Sequence, residues 1–161
     1  MELKFQVQTR IQKPVEEVFD AVYNPDKLSG YFTNGGSSGP LDEGTEVVWR
    51  FADNPGEEPF TAPVTVKKVI PNESIVIEWD ADGGRMTTTE MKFEKAGEDT
   101  IVRISETGWE ENQDSLNRSY GNCMGWSHMA LSLKAFVEYG INLRKGAYEG
   151  LYSKKDHQSA K

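Results

Sequence analysis

At 161 residues the chain has room for one domain, and a hydrophobic fraction of 37% beside 27% charged residues is that of a globular protein and not of a disordered one. A net charge of −8 argues against a nucleic-acid backbone or an anionic membrane as partner. No apolar run approaches a membrane span, MELKFQVQTR at the N-terminus holds no signal core, and the lone Cys123 makes no internal disulfide, so a soluble, cytoplasmic protein is expected.

Leu3, Phe5, Val7, Thr9 and Ile11 alternate with Lys4, Gln6, Gln8 and Arg10, the period-two pattern of a strand with one wet face. Pro14, Glu16 and Glu17 open a helix that buries Val15, Val18, Phe19 and Val22 and ends near Tyr23, with Lys13 a poor cap. Asn24 caps a second short helix with Pro25 at its first position, closing at Gly30. The stretch Gly30 to Gly44, GYFTNGGSSGPLDEG, is too rich in Gly and Ser for a regular element and reads as a flexible edge or lid over a pocket. It is no phosphate-binding loop, because no Gly-Lys-Ser/Thr follows the glycines.

Five more strands follow from Thr45 to Thr107, separated by turn signals at ADNPGEEP, Pro71-Asn72, Ala81 to Gly84 and Ala96 to Asp99. Pairing Phe93 with Val102 also sets Met91 against Ile104 and Thr89 against Glu106; pairing Val66 with Ile77 sets Val64 against Trp79. Both hairpins then keep apolar residues on one face, which Trp49 and Phe51 extend. A tight Asp82-Gly83 turn would put Trp79 on the wrong side of Met91, so a longer turn or a bulge is expected there.

Gly121 to Tyr139 is the longest helical pattern, with Trp126, Met129, Ala130, Leu133, Phe136 and Val137 at three- and four-residue steps. Its apolar stripe needs a cover, and the antiparallel sheet is the partner of sufficient size, giving an α+β helix-on-sheet domain. The domain is expected over 1–145, with 146–161 a partly mobile extension.

The inner face offers Trp49, Phe51, Val66, Ile77, Trp79, Thr89, Met91 and Ile104 from the sheet and Trp126 and Met129 from the helix as a wall for an apolar ligand. Glu106 shares that face, where a carboxylate must be paired or partly wet; it is either an ion pair at a cavity mouth, an anchor for a polar ligand group, or an acid or base. Arg85, through the 85, 87, 89 alternation, and Tyr120 are further candidate polar contacts. Cys123 and His128 stand five apart with no third ligand in a metal spacing, and Ser119, Ser127 and Ser132 lack a nucleophile elbow, so neither metal, cofactor nor serine hydrolase is expected.

Three stretches, IQKPVEEVFDAVYNPDKLSGYFT at 11–33, TIVRISETGWE at 100–110 and GNCMGWSHMALSLKAFVEYG at 121–140, together resemble the activator of heat-shock-protein-90 ATPase homologue type of domain, within the START-like, polyketide-cyclase-like (SRPBCC) superfamily. The resemblance implies a helix-grip fold, a curved antiparallel sheet of six or seven strands wrapped around a long C-terminal helix with a cavity between them. It also implies a range of functions, since members include ligand carriers, co-chaperone domains and cyclases. The aromatic inner face puts a small-molecule binding module first. A chaperone-interacting domain is second, the chain having no additional N-terminal domain of the kind that the family's full-length co-chaperones carry. A cyclase- or hydrolase-like enzyme using Glu106 is third, for want of a second placed catalytic group.

Overall fold

A computed structural model describes residues 1–152. Strand β1 (Phe5–Ile11) is followed by helices α1 (Val15–Tyr23) and α2 (Pro25–Leu28), then by strands β2 (Gly36–Ser37), β3 (Glu46–Phe51), β4 (Phe60–Ile70), β5 (Ser74–Asp82), β6 (Arg85–Ala96) and β7 (Asp99–Thr107), and by helix α3 (Gln113–Tyr139). The strands form one antiparallel sheet of seven in the order β1-β7-β6-β5-β4-β3-β2, and α3 packs on it in the α+β helix-grip arrangement. Among the described residues no helix is long and apolar enough to cross a membrane.

Alternation fixes the sheet. Phe93 pairs with Val102, Met91 with Ile104, Thr89 with Glu106, Val66 with Ile77 and Val64 with Trp79, the registers that keep one face apolar. At the β5–β6 tip, Asp80 pairs with Met86 but Asp82 with Arg85, so Ala81 is an extra residue around a Gly83-Gly84 turn whose φ values are 62° and 100°. That bulge restores Trp79 to the side of Met91, and glycine takes two successive positive φ values without strain. A second bulge lies at Lys67, between Val66 and Lys68.

Two expectations change. The long helix starts at Gln113 and not at Gly121, because Asn112 caps it by accepting from the Ser115 N–H at 2.8 Å. The Gly30 to Gly44 stretch is no loose lid: Tyr31, Phe32 and Leu41 are buried, the Tyr31 hydroxyl donates to the Ala21 carbonyl at 3.0 Å, and β2 pairs with β3.

Asp82, buried at the hairpin tip, ties the sheet to the start of α3. Its Oδ2 accepts from the Glu110 N–H at 2.9 Å and its Oδ1 from the Arg118 Nε at 2.8 Å. Burial alone would raise its pKa, but the Glu110 N–H, the Ser115 hydroxyl and the Arg118 guanidinium outweigh it and hold the carboxyl below its ordinary value.

Candidate functional site

Glu106 is fully buried on the inner face of β7, and among the described residues no cation pairs with it. Its place follows from register: it faces Thr89 directly, Thr87 lies two residues along the same face of β6, and Trp79 faces Thr87 on β5. Oε2 accepts from the Trp79 indole at 2.7 Å, the Thr87 hydroxyl at 2.7 Å and the Thr89 hydroxyl at 3.1 Å. Oε1 accepts from Asn122 Nδ2 at 3.0 Å and the Trp126 indole at 3.1 Å, both from α3. The carboxylate therefore joins three strands to the helix, and it aims two indole N–H groups at one point.

The other side of those indoles borders a cavity of about 270 Å³. The Trp79 and Trp126 rings lie 5.6 Å apart at 53°, and Phe32 stacks on Trp126 at 5.6 Å. Phe51 and Phe60 close the sheet side, and Gly121, Asn122, Met124 and Gly125 form the helix side. The remaining wall comes from the segment after α3. There Arg144 donates from Nε to Asp53 Oδ1 at 3.0 Å and from Nη2 to Oδ2 at 2.9 Å, while Asn34 donates to the same Oδ1 at 2.8 Å. The Arg144 guanidinium also lies 4.7 Å from the ring centres of Phe51 and Tyr148 and 5.6 Å from that of Phe32. The Tyr148 hydroxyl meets His128 Nδ1 at 2.7 Å, and burial raises its pKa above the ordinary value. Asn54 holds the segment at Gly150 and Tyr152, accepting from the Gly150 N–H at 2.9 Å and donating to the Tyr152 carbonyl. A larger neighbouring cavity, about 670 Å³, shares Phe60, Trp79, Gly121 and Asn122 with the first. Among the described residues no group of three His, Cys, Asp or Glu could hold a metal ion.

A sheet gripping a long helix, with an aromatic cavity between them, is the setting in which the comparisons with known proteins fall. The profile of the family described as "Activator of Hsp90 ATPase homolog 1-like protein" matches residues 12–138. The chain belongs to that family. Among solved structures, SSP2350 from Staphylococcus saprophyticus is similar at 22% identity over 89% of this chain and 97% of its own, with a TM-score of 0.74. The Aha1 dimer from Colwellia psychrerythraea is similar at 24% identity over 86% and 98%, with a TM-score of 0.66. CalU16 from Micromonospora echinospora is similar at 17% identity over 99% and 82%, with a TM-score of 0.67. At these identities the likeness is one of fold. Among curated proteins none matches the chain.

In this member of the Activator of Hsp90 ATPase homolog 1-like family, the candidate residues read from sequence separate into groups. Phe51, Trp79 and Trp126 line the cavity. Glu106 and Thr89 stand behind the indoles, and Trp49, Val66, Ile77, Met91, Ile104 and Met129 are buried in the core, with Trp49 edge-on to Trp79 at 5.6 Å. Two candidates lie elsewhere. Arg85 is exposed at the hairpin tip, opposite Asp82 and next to the Gly83-Gly84 turn, where its Nε donates to the Gly108 carbonyl at 2.8 Å. Tyr120 is 62% exposed, since six helical steps turn it about 120° away from Trp126. The ion pair considered for Glu106 is replaced by five neutral donors. Sequence reasoning did not find Phe32, Phe60, Asp53 or the Arg144 segment; Tyr148 and Tyr152 belong to the stretch taken as an extension, whose residues 153–161 lie outside those described.

Proposed function

We propose that this protein is a binding module for a small, largely apolar molecule held in the cavity between α3 and the sheet. The observation that carries the reading is the fixing of Trp79 and Trp126 by Glu106. Both indole N–H groups are directed at the carboxylate, so the rings offer the cavity a preset apolar wall. In this reading Glu106 shapes the wall and takes no part as acid or base, since both its oxygens already accept from protein donors. Native mass spectrometry of freshly purified protein is expected to show a carried small molecule, and apolar probes are expected to quench tryptophan emission saturably. Trp126→Ala should weaken that binding. No carried molecule, together with no saturable binding across a broad panel, would remove the reading.

A second reading, interaction with a chaperone, is favoured by the outer side of α3. Tyr120 and Leu131 are exposed there at 62% and 54%, beside Met124, which is 42% exposed and also borders the cavity. The family description names an activator of the Hsp90 ATPase. Co-purification with an Hsp90-type chaperone, and its loss in Leu131→Glu, would move this reading ahead.

A further inference from the structure

The helix side of the cavity is built in an unusual way. Glycine is the poorest helix former after proline, yet Gly121 and Gly125 stand one turn apart inside α3. Neither has a positive φ, so backbone conformation does not call for glycine at either position. Packing does not call for it either: a Cβ built on Gly121 or Gly125 meets no atom within 4 Å, whereas one on Gly30 would stand 2.6 Å from the Phe136 ring. Both glycines line the aromatic cavity, and Gly121 also lines the larger one beside it. Gly121 is exposed and Gly125 half-buried, so the space that their missing side chains leave open lies at the mouths of these cavities.

The charges of the first cavity's wall are satisfied within the chain. Arg144 is paired with Asp53 through two hydrogen bonds, and Asn34 donates to the same carboxylate. The indole N–H groups are directed at Glu106. What faces the space is aromatic ring together with the Arg144–Asp53 pair on one side, and on the helix side the bare backbone of the two glycines flanked by Asn122 and Met124.

We infer that the ligand is an uncharged, flat aromatic molecule lying against α3 at Gly121 and Gly125, and that these two glycines determine its size. Gly125 sets the depth of the first cavity. Gly121, at the junction of the two cavities, sets whether a longer molecule passes from one to the other. A charged group on the ligand would enter a wall with no free countercharge and would lose its hydration without return. This inference rests on the cavity being a ligand site, and its test separates the two.

Calorimetric titration of the full chain would compare 2-naphthol with 2-naphthoate and 1-naphthylmethylammonium, which carry the same rings with either charge, and with the longer neutral 4-hydroxystilbene. The neutral naphthol is expected to bind about tenfold or more tightly than either charged form. Gly125→Leu should weaken both neutral probes about tenfold or more, and Gly121→Leu should weaken the stilbene by that factor while changing the naphthol less than about threefold. Gly121→Ala and Gly125→Ala should each raise the melting temperature by about 2 °C, as helix propensity requires when nothing is crowded, and each should weaken the stilbene; they carry the test if a leucine variant does not fold. A charged naphthalene binding as tightly as the naphthol would overturn the ligand class. Glycine variants that bind as the wild type does, while Trp126→Ala loses binding, would overturn the role of the glycines and leave the cavity reading standing. A fall in melting temperature of the alanine variants would assign the glycines to packing and overturn it too. Failure of the wild type to bind any of the probes would overturn this inference, and the absence of binding across wider chemistry would take the cavity reading with it.

Discussion

At the scale of one residue, Glu106 poses the sharpest energetic question, since burying a carboxylate away from any cation costs several kcal/mol unless hydrogen bonds offset it. Five donors do so here, and they differ in what they tolerate. The Thr87 and Thr89 hydroxyls can turn to accept, whereas the indole N–H groups of Trp79 and Trp126 can only donate. Glu106→Gln keeps the shape but replaces one oxygen by an NH₂, which must face an indole N–H in either orientation. A loss of about 1–3 kcal/mol in a denaturant melt is expected, with a change in tryptophan emission as one indole loses its partner. An unchanged melt and spectrum would mean that the carboxylate does not hold the rings. This cluster was half legible in the sequence: the hairpin register sets Thr89 against Glu106 by counting alone, but the helix donors Asn122 and Trp126 are brought in only by the way α3 crosses the sheet.

At the scale of elements, the strands were legible because period two repeats over many residues, and even the Ala81 bulge follows from a conflict of faces. The beginning of α3 was not, because Ser115 and Ser119 occupy its buried face there and an apolar stripe gives no signal. Further along, Leu133 is fully buried, so Leu133→Ala should cost about 2–5 kcal/mol. Phe136 is only partly buried beside the core, so Phe136→Ala should cost less than the roughly 3–5 kcal/mol of a filled site. The same element is held at its start by Asp82, whose folded-state pKa lies below its ordinary 3.8. The sign follows from the direction: a depressed carboxyl stabilises the fold fully above its unfolded value, and that contribution disappears as pH falls through the folded one. Asp82→Asn should therefore cost about 1.5–3 kcal/mol at neutral pH, and the cost should shrink below about pH 4. Melts of the two proteins that stay equally far apart from pH 7 down to strong acid would rule this out.

For the whole molecule, the cavity is assembled from three parts distant in sequence, and the third was invisible to pattern reading. Arg144 meets Asp53 across 91 positions, and no local periodicity announces such a contact. Tyr31, Phe32 and Leu41 were hidden in the same way, as isolated apolar residues among Gly and Ser whose burial depends on what packs over them. The segment after Gly140 is fastened over the cavity by the Arg144 guanidinium, its stacking on Phe32, Phe51 and Tyr148, and the Asn54 contact at Gly150. Its described part, 140–152, adds no strand to the sheet and lies outside the interlocked faces of β5, β6 and β7, so opening separate from the sheet is expected. Arg144→Ala removes the ion pair and the cation–π contacts, the latter worth about 0.5–2 kcal/mol each. Hydrogen exchange should then accelerate in the described part of the segment, 140–152, while protection in β5 to β7 stays as in the wild type. Affinity for a neutral aromatic probe should fall at the same time, because the cavity loses one wall without any change in Trp79 or Trp126. Exchange rising across the sheet together with the segment would show instead that the fastening belongs to the cooperative core, and the cavity would then be a fixed recess with no separately opening side.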